Sequence, residues 1–347
     1  MFVLSCLLLV PAVHAQTPAT AGTDVPACVA LQNDTARLAC YDAVHRRAAP
    51  ALDSAPSTLP AASAATPPAV PQSDPAPASV LDERWDLDGR RRGDLFVPRP
   101  YKPVYLLPAT WTDRVNQTPS SPSPERTVTD SLGLRSLEAK YQISFKAKLW
   151  ENVLGTPAAV WGAYTQSSRW QLYNGAVSRP FRETNYEPEL MFGWPLKLPL
   201  AGWQLRQLGV SINHQSNGRS LPLSRSWNRI TAEARLERGE WTAELRPWWR
   251  ISEDLNRDDN PDIADYAGRA ELLLTRQWGS HVLALQLRHS LRGGKRSRGS
   301  GQLEWSVPLD GALKAYVQWF NGYGESLVDY NLSQNKVGIG ISLVGWR

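Results

Sequence analysis

The chain has 347 residues, of which 42% are hydrophobic and 20% are charged, a balance typical of a folded protein and not of a disordered one. The net charge of +5 comes from basic residues that are spread along the chain, so no surface for nucleic acid is indicated. Fifteen Trp residues are an unusual number, and Trp concentrates where an apolar surface meets water, as at the edges of a membrane.

The first residues predict a secretory signal peptide. Residues 2–13 form a short apolar run, and the small residues at 13–15 are typical of a cleavage site, so we expect residues 1–15 to be removed. No later stretch has 18 consecutive apolar residues, which excludes a membrane-spanning helix in the mature chain.

Two cysteines, Cys28 and Cys40, remain after cleavage, in a secreted context that permits disulfides. On one unbroken helix they would lie about 18 Å apart, too far to bridge. A turn at residues 32–34 between two short helices would bring them together. We therefore predict a small helical module, residues 16–47, with a Cys28–Cys40 disulfide in preference to two free thiols. A metal site is disfavoured because only His45 lies near.

Residues 48–81 are rich in Ala and Pro and cannot bury a core, so they are predicted to be an extended linker. The second predicted domain follows, at residues 82–347. Its first part, residues 82–100, is an irregular lead-in without a recognisable role.

From Tyr101 onward, apolar and polar side chains alternate with the period of two that is typical of β-strands. Twelve such segments are predicted, at residues 101–111, 138–150, 157–173, 185–195, 201–216, 225–236, 239–251, 264–277, 280–290, 299–309, 312–322 and 335–347. An even number of strands is what a closed bacterial outer-membrane barrel requires. We therefore predict an all-β protein, a 12-stranded antiparallel transmembrane β-barrel.

The connections between these segments alternate between short and long, as periplasmic turns and outer loops do in such barrels. This alternation places residues 174–184, 217–224 and 252–263 at the outer rim. A soluble all-β protein would also show alternating strands. Against it stand the large polar side chains on the inner face, which are costly in a soluble core but can pair in a polar lumen. These side chains are Arg229, Glu233, Arg246 and Arg269.

One predicted hairpin carries polar residues on its apolar face. Read with a period of two, His214 and Ser216 share a face with Ile212. On the returning strand, Asn228 shares a face with Ile230. In a barrel this face meets lipid. A Ser hydroxyl becomes a nucleophile when an imidazole takes its proton, and a third group must orient the imidazole, which an Asn can do without carrying charge.

The run His-Gln-Ser-Asn-Gly-Arg-Ser at residues 214–220, followed by Ser-Arg-Ser-Trp-Asn-Arg at 224–229, closely resembles the signature of outer membrane phospholipase A. Further matches to that family are residues 164–166, 180–188, 258–262 and 322–326. The resemblance runs from about Tyr141 to the C-terminus and does not cover the first hundred residues.

The resemblance implies a calcium-dependent dimeric enzyme of the bacterial outer membrane. It implies hydrolysis of acyl esters of phospholipids and lysophospholipids, in the manner of phospholipases A1 and A2. Ser216 would be the nucleophile, His214 the general base and acid, and Asn228 the residue that orients His214. The backbone N–H of Gly218, together with a calcium-bound water, would stabilise the oxyanion.

The calcium ligands implied by the resemblance are oxygen atoms, which calcium prefers. They are the carbonyl of Arg219, the hydroxyl of Ser224, the carboxylate of Asp259 and, across a dimer interface, the carbonyl of Ser178. The segment around Ser178 matches the family least well, so this ligand is the weakest of the four.

Gln166 is predicted to point into the membrane, because it shares its face with Val160 and Tyr164. A lone amide in hydrocarbon is unfavourable unless it finds a partner. The hypothesis that Gln166 pairs with a second subunit follows, and the family resemblance implies the same.

Two alternatives stay open. The barrel would be a passive channel if His214 and Ser216 were incidental. The N-terminal module would be a periplasmic interaction domain if the barrel served only as its anchor.

Overall fold

The structure is a computed structural model, which describes residues 28–44, 79–254 and 256–346. The chain forms two compact units, Met1–Gln72 and Ser73–Arg347. The predicted signal peptide and most of the predicted linker lie outside the described residues and stay predictions. Within those ranges, no helix is long and apolar enough to cross a membrane.

The described part of the first unit contains helix α1, Asp34–Val44. Asn33 accepts a hydrogen bond from the backbone N–H of Ala36 at 3.0 Å, which caps the first turn of α1 at the predicted chain reversal. Cys28 and Cys40 form a disulfide with their Cα atoms 5.5 Å apart. The limits predicted for this module, residues 16 and 47, lie outside the described residues.

The second unit is almost entirely sheet. Its elements are helix α2 (Val80–Trp85) and strands β1 (Arg99–Pro100), β2 (Val104–Thr112), β3 (Leu137–Glu151), β4 (Ala159–Trp170), β5 (Phe181–Leu200), β6 (Trp203–Ser216), β7 (Ser226–Arg238), β8 (Trp241–Ile251), β9 (Ala270–Trp278), β10 (His281–His289), β11 (Gly299–Asp310), β12 (Leu313–Gly322) and β13 (Gln334–Val344). Single turns of 3-10 helix are Val153–Gly155, Gly175–Val177, Ile263–Asp265 and Gly294–Arg296.

Strands β2 to β13 pair in sequence order, each antiparallel to the next, and β13 pairs with β2 to close the barrel. The predicted 12-stranded antiparallel barrel is therefore confirmed. The two-residue strand β1 is an addition, paired with β3. Some boundaries were misplaced. β5 runs over Phe181–Leu200, longer at both ends than the predicted segment 185–195. β9 begins at Ala270 and not at residue 264, because the 3-10 turn Ile263–Asp265 and the positive φ of Gly268 interrupt the extended chain.

The two faces of the barrel wall differ as the alternation predicts. On β6, Val210 and Ile212 point outward and are 52% and 58% exposed, whereas the intervening Ser211 is 3% exposed. Arg246 on β8 forms inward ion pairs with Glu189 and Glu233. An apolar exterior around a paired, charged interior is what a membrane barrel requires, so the soluble alternative is excluded.

Helix α2 lies inside the barrel. Its apolar side chains Leu81 and Trp85 are buried against Tyr101 and Trp161, and the ammonium of Lys146 lies 3.0 Å from the ring centroid of Trp85. Aromatic rings can hold a buried cation through their electron-rich faces. The lead-in at residues 82–100, for which the sequence indicated no role, thus helps to fill one end of the lumen. Helix α2 begins at Val80, inside the segment 48–81 that was predicted as linker.

Candidate active site

Strands β6 and β7 place His214 directly opposite Asn228, and Ser216 opposite Ser226. His214 Nδ1 and Asn228 Oδ1 are 2.8 Å apart, a hydrogen-bond distance. Both side chains are half-buried. They stand on the face that carries Ile212, so the pair opens toward the membrane and not toward the lumen.

Ser216 is the last residue of β6, two residues beyond His214 and therefore on the same face. Its side chain is half-buried. Within the described parts of the chain its hydroxyl makes no hydrogen bond. Hydrogen bonds between a nucleophile and its base often tighten only when substrate is bound. The structure thus brings the imidazole and the amide into contact and leaves the hydroxyl beside them.

The loop after Ser216 is held by Asn217, which the sequence analysis did not single out. Its Nδ2 donates to the carbonyl of Leu223 at 2.8 Å, and its Oδ1 accepts from the backbone N–H groups of Arg219 and Arg225 at 3.2 and 3.0 Å. An Asn directly before Gly at the end of a strand is a turn signal that could have found it.

Gly218 has a left-handed backbone with a φ of 61°. A Cβ atom at this position would lie 3.2 Å from Cε2 of Tyr186 on the neighbouring strand. Both the backbone conformation and the close aromatic ring therefore require glycine here.

Asp259 is buried where the outer loops meet. The hydroxyl of Ser224 donates to Oδ2 of Asp259 at 2.7 Å, and Nε of Arg126 donates to Oδ1 at 2.7 Å. Ser121, from the same loop as Arg126, donates to the backbone carbonyl of Asp259 at 2.7 Å. Arg126 lies in the loop between β2 and β3, far away in sequence, and was not predicted.

The donor set around Asp259 has the chemistry that calcium prefers, since it offers a carboxylate and a hydroxyl. Of the described residues, no group of three or more His, Cys, Asp or Glu is arranged to hold a metal. A cation here would need additional carbonyl or hydroxyl oxygens. Arg219 is exposed on the Ser224 loop, and Ser178 is exposed on the loop between β4 and β5. The guanidinium of Arg126 already neutralises one edge of the carboxylate.

Gln166 is half-buried on the outer face of β4, as its position in the alternation predicts. The hydroxyl of Tyr164 donates to its Oε1 at 3.2 Å, and its Nε2 donates to the hydroxyl of Ser168 at 3.4 Å. The sequence analysis treated Gln166 as a lone amide, but its side chain has two hydrogen-bond partners on the same strand. These two contacts leave one amide hydrogen and one lone pair for a partner.

Glu253 is a further residue at the site that the sequence analysis missed. Its Oε1 accepts a hydrogen bond of 3.1 Å from Nδ2 of Asn228. The alternation Trp249, Ile251, Glu253 could have placed it on the outward face beside Asn228.

The loop that carries Asp259 is also tied to the loop between β12 and β13. The hydroxyl of Tyr330 donates to Asp262 at 2.6 Å. Burial raises the pKa of Tyr330, and the hydrogen bond to Asp262 raises it further, so the phenol keeps its proton. Burial lowers the pKa of Arg225, which donates to the carbonyl of Arg126 at 3.0 Å. The outer loops thus support one another around the site.

A closed barrel with an apolar outer wall, and with an imidazole and an amide in contact on that wall, defines a transmembrane β-barrel with a polar site facing lipid. The model of the phospholipase A1 family matches residues 81–343. The chain therefore belongs to this family, and its location is the outer membrane.

Several known proteins resemble the chain over most of their length. Phospholipase A1 of Klebsiella pneumoniae is 40% identical over 248 residues, which cover 72% of this chain and 82% of the relative. Phospholipase A1 of Escherichia coli K12 is 42% identical over 209 residues, which cover 60% of this chain and 70% of the relative.

Two solved structures share the fold. Outer membrane phospholipase A from Escherichia coli is 37% identical, with a TM-score of 0.66 over 74% of this chain and 96% of that chain. The outer membrane phospholipase dimer of Salmonella typhi with bound calcium is 38% identical, with a TM-score of 0.65 over 73% of this chain and 94% of that chain.

Proposed function

We propose that the protein hydrolyses acyl ester bonds of phospholipids and lysophospholipids in the outer leaflet of the outer membrane, at both acyl positions. Family membership supports phospholipid hydrolysis, and the residues of the site support a serine mechanism. The observation that carries the proposal is the 2.8 Å contact between His214 and Asn228 on the lipid-facing wall.

In this mechanism Oγ of Ser216 attacks the ester carbonyl carbon while Nε2 of His214 takes the hydroxyl proton. Asn228 accepts from Nδ1–H of His214 and holds the ring. The backbone N–H of Gly218 donates to the oxyanion. His214 then returns the proton to the leaving alcohol, and an acyl-enzyme remains. Water, deprotonated by His214, releases the fatty acid and regenerates Ser216.

We propose that calcium binds at the outer rim through the carbonyl of Arg219, the hydroxyl of Ser224 and the carboxylate of Asp259. A fourth oxygen would come from Ser178 of the partner subunit. Bound calcium would supply positive charge close to the developing oxyanion. The proximity of Ser224 to Asp259 supports this set, as does the calcium in the related Salmonella dimer.

The direct test is acyl release by the detergent-solubilised protein on a phospholipid, with calcium and with chelator. We expect calcium-dependent release that Ser216→Ala abolishes. The matched control is Ser300→Ala, which removes a hydroxyl from β11 and should leave the activity unchanged. Release that persists in Ser216→Ala would remove the proposed nucleophile.

A passive channel is the alternative from another class. It needs an open lumen, and here charged side chains and helix α2 occupy the interior. Conductance in a planar bilayer, with no acyl release under any condition, would instead favour the channel.

We propose that the protein works as a calcium-promoted homodimer in which Gln166 faces the same residue of a second subunit. The unused hydrogen-bonding capacity of its amide supports this, as does the dimeric state of the Salmonella relative. We expect Gln166→Ala to lower both the yield of cross-linked dimer and the activity. Asn321→Ala, an exposed amide on β12, is the control, and unchanged dimer yield in Gln166→Ala would contradict the proposal.

We propose that residues 16–47 form a periplasmic module, joined by the linker at 48–81 to the enzymatic domain. The secreted context and the disulfide support this. A protein without residues 16–78 should keep its acyl-release activity and lose co-purifying periplasmic partners. Loss of activity in this deletion would assign the module to the enzyme itself.

A further inference from the structure

The amide of Asn228 is held from both ends. Its Oδ1 lies 2.8 Å from Nδ1 of His214, and its Nδ2 donates to Oε1 of Glu253 at 3.1 Å. Glu253 follows β8 by two residues, and Ile251, the last residue of β8, pairs with Asn228 across the sheet. The carboxylate is therefore brought to the amide by strand register.

A carboxylate accepts hydrogen bonds and has none to donate, so only the NH₂ end of the amide can face Glu253. The oxygen end must then face His214. An oxygen in that place requires a hydrogen on Nδ1 of the imidazole. The other ring nitrogen, Nε2, is left with its lone pair, which is the form that can take a proton from Ser216.

Among the described residues, the amide of Asn228 hydrogen-bonds only to His214 and Glu253, so without Glu253 nothing there distinguishes its two orientations. The terminal torsion of Asn is broad and roughly two-fold, so the side chain can turn over. A turned amide would present NH₂ to Nδ1, which favours the tautomer with its hydrogen on Nε2. That tautomer cannot act as the base.

The position of Glu253 on the wall agrees with such a role. Trp249 and Ile251 precede it on the outward face and are 62% and 40% exposed. The carboxylate of Glu253 therefore lies at the end of a row of apolar side chains on the outer wall. Glu253 itself is half-buried. A half-buried carboxylate at the edge of an apolar surface needs a hydrogen-bond donor, and the amide of Asn228 supplies one.

We propose that Glu253 is a positioning residue, which sets the orientation of the Asn228 amide and, through it, the tautomer of His214. The proposal rests on the proposed function, in which His214 is the base for Ser216. Glu253 acts on the proton-transfer step and does not touch the substrate. Its loss should therefore lower kcat and leave KM unchanged.

The experiment is a double-mutant cycle of acyl release with calcium, using Glu253→Ala, Asn228→Ala and the double variant. We expect Glu253→Ala to lower kcat roughly tenfold, as for one lost hydrogen bond to a charged group. In the Asn228→Ala background the same substitution should have no further effect, because its target is gone. KM should stay within about twofold of the wild type throughout.

Two further variants separate positioning from general effects. Glu253→Gln keeps an oxygen that can accept from Asn228, so it should recover part of the kcat lost in Glu253→Ala. Asp254→Asn removes an exposed negative charge from the same loop and should match the wild type. Far-ultraviolet circular dichroism of each variant shows whether the barrel is intact.

The outcomes distinguish this proposal from the function on which it rests. Wild-type kcat in Glu253→Ala, an equal loss in Asp254→Asn, or an undiminished effect in the Asn228→Ala background would overturn the role of Glu253. If Glu253→Ala fails to fold, a kcat of Glu253→Gln equal to that of Asn228→Ala would also overturn it. The proposed function is judged separately, by the activity of Ser216→Ala.

Discussion

At the scale of single residues, the most informative contact is the one between Arg126 and Asp259. Nε of Arg126 lies 2.7 Å from the carboxylate, and both side chains are largely buried. A guanidinium and a calcium ion would share the same carboxylate, so their positive charges oppose each other. Arg126 is therefore expected to weaken calcium binding while it holds the loop in place.

We expect Arg126→Gln to lower the calcium concentration that half-saturates the protein by roughly tenfold, the effect of one like charge at a partly screened distance. Isothermal titration of calcium measures this directly, and acyl release against free calcium measures its consequence. Arg114→Gln, an exposed arginine of the same loop, should bind calcium as the wild type does. Weaker binding in Arg126→Gln would show that the arginine orders the site instead of competing in it.

At the scale of elements, the site depends on the turn between β6 and β7. Register places His214 beside Asn228, and the loop from Asn217 to Arg225 then folds back on itself through the amide of Asn217. Gly218 makes this path possible, because its φ of 61° is costly for any residue with a Cβ atom.

A pair of glycine substitutions tests the turn. Gly218→Ala and Gly239→Ala both place a Cβ on a residue with positive φ, and each should cost about 1–2 kcal/mol of stability. Of the two, only Gly218 has a neighbour in the way, Cε2 of Tyr186 at 3.2 Å, whereas no atom of the described residues lies within 4 Å of a Cβ at Gly239. We therefore expect Gly218→Ala to lose at least as much thermal stability as Gly239→Ala, and Gly218→Ala alone to lose acyl release. Equal activity in the two variants would show that the backbone at Gly218 plays no part in the reaction.

At the scale of the whole molecule, the barrel is organised around its ion pairs. Glu325, from the loop between β12 and β13, reaches into the lumen and pairs with Lys140, Arg169 and Lys336. Burial alone would raise the pKa of Glu325, but the three cations outweigh burial and hold the pKa well below its usual range. One carboxylate thus links strands β3, β4 and β13.

We expect Glu325→Gln to lower the free energy of unfolding at neutral pH by about 3–5 kcal/mol, because it leaves buried cations without their counter-charge. A carboxylate whose pKa is lower in the folded state contributes stability above its unfolded pKa, about 4.3, and loses it as the pH falls through the folded value. The difference between wild type and variant should therefore narrow in acid. Urea unfolding followed by Trp fluorescence at several pH values measures it.

The control for this prediction is Glu240→Gln, an exposed carboxylate in the turn between β7 and β8. It should unfold as the wild type does at every pH. A difference for Glu325→Gln that stayed constant from neutral pH to pH values below its folded pKa would contradict the linkage.

The architecture could be predicted from the sequence, because every strand of a membrane barrel alternates apolar residues that face lipid with polar residues that face the lumen. The alternation along each segment was enough to predict twelve strands, and the shared face of Ile212, His214 and Ser216 placed the polar residues on the lipid side. Loop lengths predicted which rim faces outward. Helix α2 was not predicted, because its six residues are too few to show the hydrophobic period of a helix.

Only the tertiary structure decided the contacts between distant segments. Arg126 meets Asp259 across more than a hundred residues, and Glu253 reaches Asn228 from the loop that follows the next strand. Alternation along β8 puts Glu253 on the outward face but does not identify its partner, and Arg126 lies in a loop that has no period. These side chains meet through the closure of the barrel and not through local spacing. Alternation along a strand could tell which face a residue takes, and only the closed sheet could tell which residue it touches there.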